Sequence, residues 1–297
     1  MLPGKHLNKA KHILIFLSAA WLITGCGKNT TSPETALLHF REYLNNLPKT
    51  DLASVSKALN NYKDNFSSSL PVFKDSAFTD FRSLFYNVIN SYSEIFWDDS
   101  DLVKKLTANL NDDPKVTGLK NALDQNGLRL SITEGSYYID EKPDFLLNNF
   151  KGFVSPAVYD YLILRSKELN EGFSENATLL ISFKAVGTRI ITWENYLLKY
   201  PSSPLLAEAK FSFHLYMNTF LTGLDNSTVI KDDFLLPEMK IVYSEFIQQN
   251  KNSESSKIVE KYYSLLEKNN FRLPPDLEDF FSEYQVESMK EVQPPTR

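Results

Sequence analysis

Phe78, Phe81, Leu84, Phe85, Val88, Ile89, Tyr92, Ile95 and Phe96 recur at the spacing of an α-helix. That spacing makes one broad apolar stripe on a helix and cannot alternate across a strand. The same period runs through most of the chain. Ser32-Pro33-Glu34 opens a first helix, with Ser as cap, Pro at the first helical position and an acid in the first turn. Leu37, Phe40, Tyr43, Leu44 and Leu47 lie on its face, and Pro48 stops it. A second helix starts near Asp51 and carries Leu52, Val55, Leu59, Tyr62 and Phe66. Asp98-Asp99-Ser100-Asp101 ends the apolar third helix and caps a short fourth one. Asp112-Asp113-Pro114 caps a fifth, which Asn126-Gly127 ends. With only 10 glycines in 297 residues, and with this periodicity, an all-β fold is excluded.

The period changes once. Leu128, Leu130 and Ile132 alternate with Arg129, Ser131 and Thr133; Glu134-Gly135-Ser136 reads as a turn, and Tyr137-Tyr138-Ile139 follows. The expectation is one small β-hairpin near 128–139 that leans on helices, because an isolated hairpin is marginal in water. It separates an N-terminal helical part (33–127) from a C-terminal part (128–284). Gly135, Tyr137 and Tyr138 are the expected binding residues if the hairpin lies at a mouth between the two. The alternative is that the tyrosines pack on the helices and tie the parts together. Alternation turns one of the two tyrosines inward. After the hairpin, Ser155-Pro156 starts a helix, and a long one is expected from about Glu175 to Lys199. Helices over about 204–221, 237–249 and 253–268 follow, with a short one from Pro275 and a disordered tail over 285–297.

Cys26 is the only cysteine. Lys5, Lys9 and Lys11 precede an apolar stretch of about 11 residues, too short for the roughly 20 a spanning helix needs. The run Leu22-Ile23-Thr24-Gly25-Cys26 resembles the lipobox of bacterial lipoproteins. That resemblance implies a signal peptide over 1–25, an acylated Cys26 as the new N-terminus, and a short tether over 26–32. Gly27 in second place, in that family, implies the outer membrane of a Gram-negative cell; in a Gram-positive cell the anchor implies the outer face of the plasma membrane. Two acyl chains give stable anchoring where one is marginal. Residues 1–25 carry three lysines and no acid, so without them the net charge moves from −5 to −8. An acidic chain of this kind does not suit nucleic acid as a partner. No disulfide can form within it, so stability rests on burial, for which Phe 21, Tyr 15 and Trp 3 supply ample side chains.

Two segments align without gaps at a spacing of 50: Trp193, Tyr196, Leu197, Ser203, Phe213 and Leu215 fall on Tyr243, Phe246, Ile247, Ser253, Tyr263 and Leu265. Phe40, Tyr43, Leu44 and Pro48 follow the first half of the same pattern. Repeated helix–turn–helix units read as a stacked array. In the unit at Trp193, the residues Trp193, Tyr200, Ala209 and Phe213 stand at the spacing of a tetratricopeptide repeat, which residues 193–221 resemble in part. Tyr196 and Leu197 depart from that family's Leu and Gly, and Leu221 stands where its closing Pro belongs. The expected fold is therefore mostly α: a helical-hairpin array, tetratricopeptide-like or an irregular solenoid, with one small β-hairpin. The resemblance implies a scaffold that binds a protein or peptide.

The chemistry-bearing residues are few. His39 and His214 stand outside any ligand pair, so no metal site is expected. There is no phosphate loop, no nucleophile elbow and no thiol besides Cys26, so no cofactor and no catalytic activity are expected. Asp98, Asp99 and Asp101 lack the Gly and Glu of a calcium loop, since Val103 holds the sixth position. The expected function is a lipid-anchored extracytoplasmic scaffold for an envelope protein or peptide, held to the membrane through Cys26. The alternative is a small-molecule-binding lipoprotein with a pocket between the two helical parts.

Overall fold

The computed structural model describes residues 32–284 except 134 and 276. The expected signal peptide over 1–25, the expected lipidated Cys26 and the expected disordered tail over 285–297 lie outside the described residues. The described residues from Pro33 onward form one compact unit. It is mostly helical, with a few small antiparallel strand pairs.

Three helices lead: α1 (Pro33–Asn46), α2 (Ala53–Phe66) and α3 (Pro71–Asp98). α4 (Ser100–Thr107) and α5 (Pro114–Gln125) follow, capped as the sequence suggests: Asp99 accepts from the Leu102 amide at 3.1 Å and Asp113 from the Lys115 amide at 2.8 Å. The acidic run is otherwise engaged by lysines, with Lys115 bonding Asp99 and Asp101, and Lys105 bonding Asp101 and Asp113. β1 (Leu128–Thr133) and β2 (Ser136–Glu141) form the expected hairpin, with Leu130 opposite Ile139 and Ile132 opposite Tyr137. At its base, Gly127 takes φ +73°, and a Cβ there would lie 2.2 Å from the Phe145 ring, so only glycine fits.

α6 (Phe145–Phe150) is short, yet its last residue is central to the core. The Phe150 ring meets Tyr62, Phe78 and Phe81 at 4.9, 4.8 and 5.0 Å between centroids. The Tyr62 hydroxyl donates to the Phe153 carbonyl at 2.7 Å, fixing the loop that leads into α7 (Pro156–Glu171). One continuous buried cluster runs from Phe40 to Phe280.

Two helical hairpins follow: α8 (Phe183–Lys199) with α9 (Leu206–Thr222), then α10 (Pro237–Gln249) with α11 (Glu254–Lys268); α12 (Leu277–Glu283) closes the described part. The 50-residue alignment corresponds to equivalent places in these hairpins. Trp193 and Tyr243 are both fully buried, as nearly are Tyr196 and Phe246. Ser203 bonds the Tyr196 hydroxyl at 2.8 Å in one inter-helix turn, and Ser253 caps α11 in the other.

Two expectations need correction. α8 begins at Phe183, not near Glu175, because α7 ends at Gly172 (φ +74°) and Asn176-Ala177 both take positive φ in a tight turn joining β3 (Ser174–Glu175) to β4 (Thr178–Leu179). Ser182 then caps α8 by accepting from the Ala185 amide at 3.2 Å. The 128–141 hairpin is accordingly not the sole one. Besides β3–β4, β5 (Gly223–Leu224) pairs with β6 (Ser227–Thr228), and β7 (Ile230–Lys231) with β8 (Phe234–Leu235). The last turns on Asp232-Asp233, again both at positive φ. The β5–β6 turn braces the β3–β4 turn, with the Asn226 amide donating to the Ala177 carbonyl, and the segment after α11 braces the β7–β8 turn, with the Leu273 amide donating to the Asp233 carbonyl.

Candidate functional site

α8 and α10 pack side by side and leave a groove between their outward faces. Its floor is apolar. Gly187 on α8 lets the Phe220 and Phe246 rings come close: a Cβ there would stand 3.0 Å from Phe246 and 3.3 Å from Phe220. The result is a recess of about 170 Å³ lined by Gly187, Thr188, Ile191, Phe220, Val242 and Phe246. Its upper wall is closed by an ion pair across the groove, Lys184 to Glu245 at 3.0 Å. Toward the C-termini of the two helices the recess opens into a shallow trough lined by Asn195, Leu198, Gln248, Asn250, Lys251 and Asn252. Carboxamides dominate that trough, and Leu198 stands 71% exposed at its edge.

The trough floor is held by an unusual cap. The Glu194 carboxylate of α8 accepts from the backbone amides of Glu254 and Ser255, at 2.8 and 3.2 Å, and from the Ser255 hydroxyl. A carboxylate at the positive end of a helix is favourable. Here one helical hairpin supplies the anion that the next hairpin's α11 needs, which fixes the relative position of the groove walls.

Behind the groove lies a buried polar network that joins α3, β2, α7, α8 and α9. The Trp193 indole donates to Glu168 at 2.6 Å. The Arg189 guanidinium donates to the Gly172 carbonyl at 2.7 Å, to Glu171 at 3.0 Å and to the Tyr216 hydroxyl at 3.1 Å. Arg82 pairs with Glu208 at 2.6 Å and lies over the Tyr86 ring. The Tyr86 hydroxyl donates to Glu141 at 2.9 Å, and Arg165 and Tyr161 complete the surroundings. Every strongly buried charge here has a neighbour of opposite sign, as the cost of burying charge requires.

Burial holds the Glu141 carboxyl above the ordinary glutamate value of 4.5, against the pull of Arg165, the Tyr86 hydroxyl and Arg82. An acid with a raised pKa in the folded state contributes stability that is complete below its unfolded value and is lost as pH rises through the folded one. Glu141→Gln keeps the shape and cannot ionise. Its urea midpoint relative to the parent is expected to climb between pH 4 and pH 8, and an offset that stays constant over that range would refute the assignment.

The sequence-expected residues sit elsewhere. Tyr137 packs against the core and donates its hydroxyl to the Leu106 carbonyl at 3.2 Å, tying the hairpin to α4. Tyr138 points the other way and is 38% exposed. Gly135 takes φ +74° at the turn, with open space around it. The inward tyrosine thus follows the tying alternative, and the two do not converge on one place. Thr188, Asn195 and Gln249 carried no signal in the sequence beyond being polar positions on amphipathic helices. The buried acids Glu141 and Glu168 carried none either.

Among the described residues no helix is long and apolar enough to cross a membrane, and no group of three or more His, Cys, Asp or Glu side chains is placed to hold a metal ion. Compared with known proteins, the chain matches no family model, no curated protein and no solved structure.

Proposed function

We propose that this chain is a lipid-anchored, extracytoplasmic helical scaffold that holds a peptide segment of an envelope protein in the groove between α8 and α10. The observation that carries this reading is the composition of the groove. A recess of about 170 Å³, with an apolar floor and a rim of Thr188, Thr192, Gln249 and Asn250, opens into a carboxamide-lined trough, and the charge at its wall is internally paired. The recess is about 170 Å³ and the trough it opens into about 460 Å³, so the recess suits one apolar side chain and the trough the chain that carries it. Carboxamides donate and accept at once, so Asn195, Gln248 and Asn252 are suited to the amides and carbonyls of an extended main chain. The lipobox supports the location: Cys26 carries the anchor, on the outer membrane of a Gram-negative cell or the outer face of a Gram-positive plasma membrane. The reading assigns no catalysis, cofactor or metal.

The test is crosslinking in cells with a photoreactive residue at Gln249 of the tagged full-length protein. A Cys26→Ser version serves as the unanchored control. The expected result is one recurring envelope protein, lost in the control and reduced at least tenfold by Thr188→Arg. That arginine fills the groove from an exposed position and is expected to leave stability within about 0.5 kcal/mol of the parent. Recovery of the protein alone, or of a partner indifferent to Thr188→Arg, would count against the groove.

A further inference from the structure

In a stacked array each repeat buries one face against the next, and a terminal repeat closes the array only if its outer face is polar. The 50-residue alignment identifies that face on the last hairpin. On α8, Lys184, Gly187 and Ile191 look toward α10. Lys184 pairs with Glu245, a Cβ on Gly187 would stand 3.0 Å from the Phe246 ring, and Ile191 lines the recess between the two helices. Fifty residues on, the same places are held by Phe234, Pro237 and Ile241. Ile241 is 62% exposed and Phe234, in β8 just ahead of α10, is 49% exposed. Pro237 is exposed as well.

These side chains stand away from everything that α10 packs against. Met239, Tyr243 and Phe246 face the core, and Val242, Glu245 and Gln249 face α8. Ile241 lies two residues from both Met239 and Tyr243, which puts it on the far side of the helix. Leu235 is buried beside Phe234, so alternation turns the Phe234 ring outward. The helix that follows in the chain, α12, packs on Tyr262 of α11 through Phe280 and does not cover this face.

The face also carries an acid. Glu238 stands at the place of Thr188, is exposed, and makes no ion pair or hydrogen bond among the described residues. The charges around it are otherwise accounted for. Glu245 pairs with Lys184 and Asp233 with Arg272. Lys231 and Asp232 are chain neighbours that cancel, and Lys240 lies over the Phe271 ring on the opposite flank. One repeat earlier, the α8 face offers a base, Lys184, and the helix that covers it brings apolar side chains and an acid. The α10 face offers apolar side chains and an acid, so the helix that answers it brings an apolar stripe and a base.

We infer that the outward face of α10, formed by Phe234, Pro237 and Ile241 with Glu238 beside them, is a docking surface for an amphipathic helix of another protein, laid on α10 as α10 is laid on α8 and carrying a lysine or arginine opposite Glu238. This surface is separate from the groove and takes a helix rather than an extended segment. It extends the array across a protein boundary, with the partner supplying the next layer.

The test places a photoreactive residue at Ile241 of the tagged full-length protein in cells, with Gln249 as the comparison site in the groove. The site of the adduct on the partner is mapped by mass spectrometry. The expected result is one recurring adduct on the apolar face of an amphipathic helix, with a lysine or arginine within one turn of it. Glu238→Lys should reduce that adduct at least tenfold, and reversing the partner's base to glutamate should restore it. Glu238 is exposed in the first turn of α10, so this variant is expected to keep the parent's circular dichroism. An adduct to a second copy of this chain, an adduct on a strand or loop, or one indifferent to Glu238→Lys overturns the inference. So does the lack of any adduct at position 241, whether or not Gln249 gives one, since the groove reading stands or falls on the Gln249 result alone.

Discussion

Trp193→Ala is expected to cost about 5 kcal/mol, enough to leave the chain close to unfolded. Truncating a fully buried tryptophan costs about 3–5 kcal/mol from lost transfer energy and the cavity left behind. Trp193 is 0% exposed and meets the Tyr161 and Tyr196 rings edge-on at 5.5 and 5.6 Å. The same change strands Glu168, whose carboxylate then loses the indole donor in a buried setting, at about 1–3 kcal/mol more. The whole fold holds about 5–15 kcal/mol. Trp193→Phe keeps a phenyl-sized part of the ring and removes the donor with the rest of the indole; about 1–3 kcal/mol is expected, which bounds the donor's share from above. Urea unfolding followed by circular dichroism measures both. A loss below about 2 kcal/mol for the alanine variant would contradict the central place given to this side chain. Neither change reports on binding.

Phe150→Ala is the second large effect, expected at about 3–5 kcal/mol. The ring is fully buried and is the point where α2, α3 and the segment before α7 meet. Because α6 is a helix of six residues, its position depends on this one side chain more than on its own hydrogen bonds. At about 2–4 °C per kcal/mol for a domain of this size, the melting temperature is expected to fall by about 10 °C. Phe150→Leu should recover more than half of the loss, since it refills most of the volume. A melting temperature within about 2 °C of the parent for Phe150→Ala would show that the core closes over the gap.

The helices were legible in the sequence because their ends are marked by residues with local reasons to be there. Pro33, Pro114, Pro156 and Pro237 stand at first helical positions, and Asp99, Asp113 and Ser155 accept from the amides behind them. The 128–141 hairpin was legible because six residues in each strand suffice to display a period of two. The other strand pairs have two residues per strand, too few to show any period, and the turns of two of them rest on Asn176-Ala177 and Asp232-Asp233 rather than on glycine. The groove was not legible for a different reason. Thr188 and Gln249 lie 61 positions apart, and each reads as an ordinary solvated residue until α8 and α10 are set side by side. Tyr137 and Tyr138 drew notice by standing together in the chain, and the alternation of a strand sends them to opposite faces.

The carboxylate of Glu194 has its backbone donors 60 and 61 residues further along the chain. During synthesis from the N-terminus, α8 and α9 are complete well before Ser255 exists. Until then the Glu194 side chain stays hydrated, the α8 face that later borders α10 is uncovered, and Phe220 lacks the Phe246 ring that meets it at 5.0 Å. The hairpin made first is therefore a waiting half, open to wrong contacts until the stretch from Thr222 to Ser255 has appeared. A chain cut short after α9 keeps that sticky edge permanently, and so does one in which a second copy of α8–α9 replaces α10–α11 without donors placed for the glutamate.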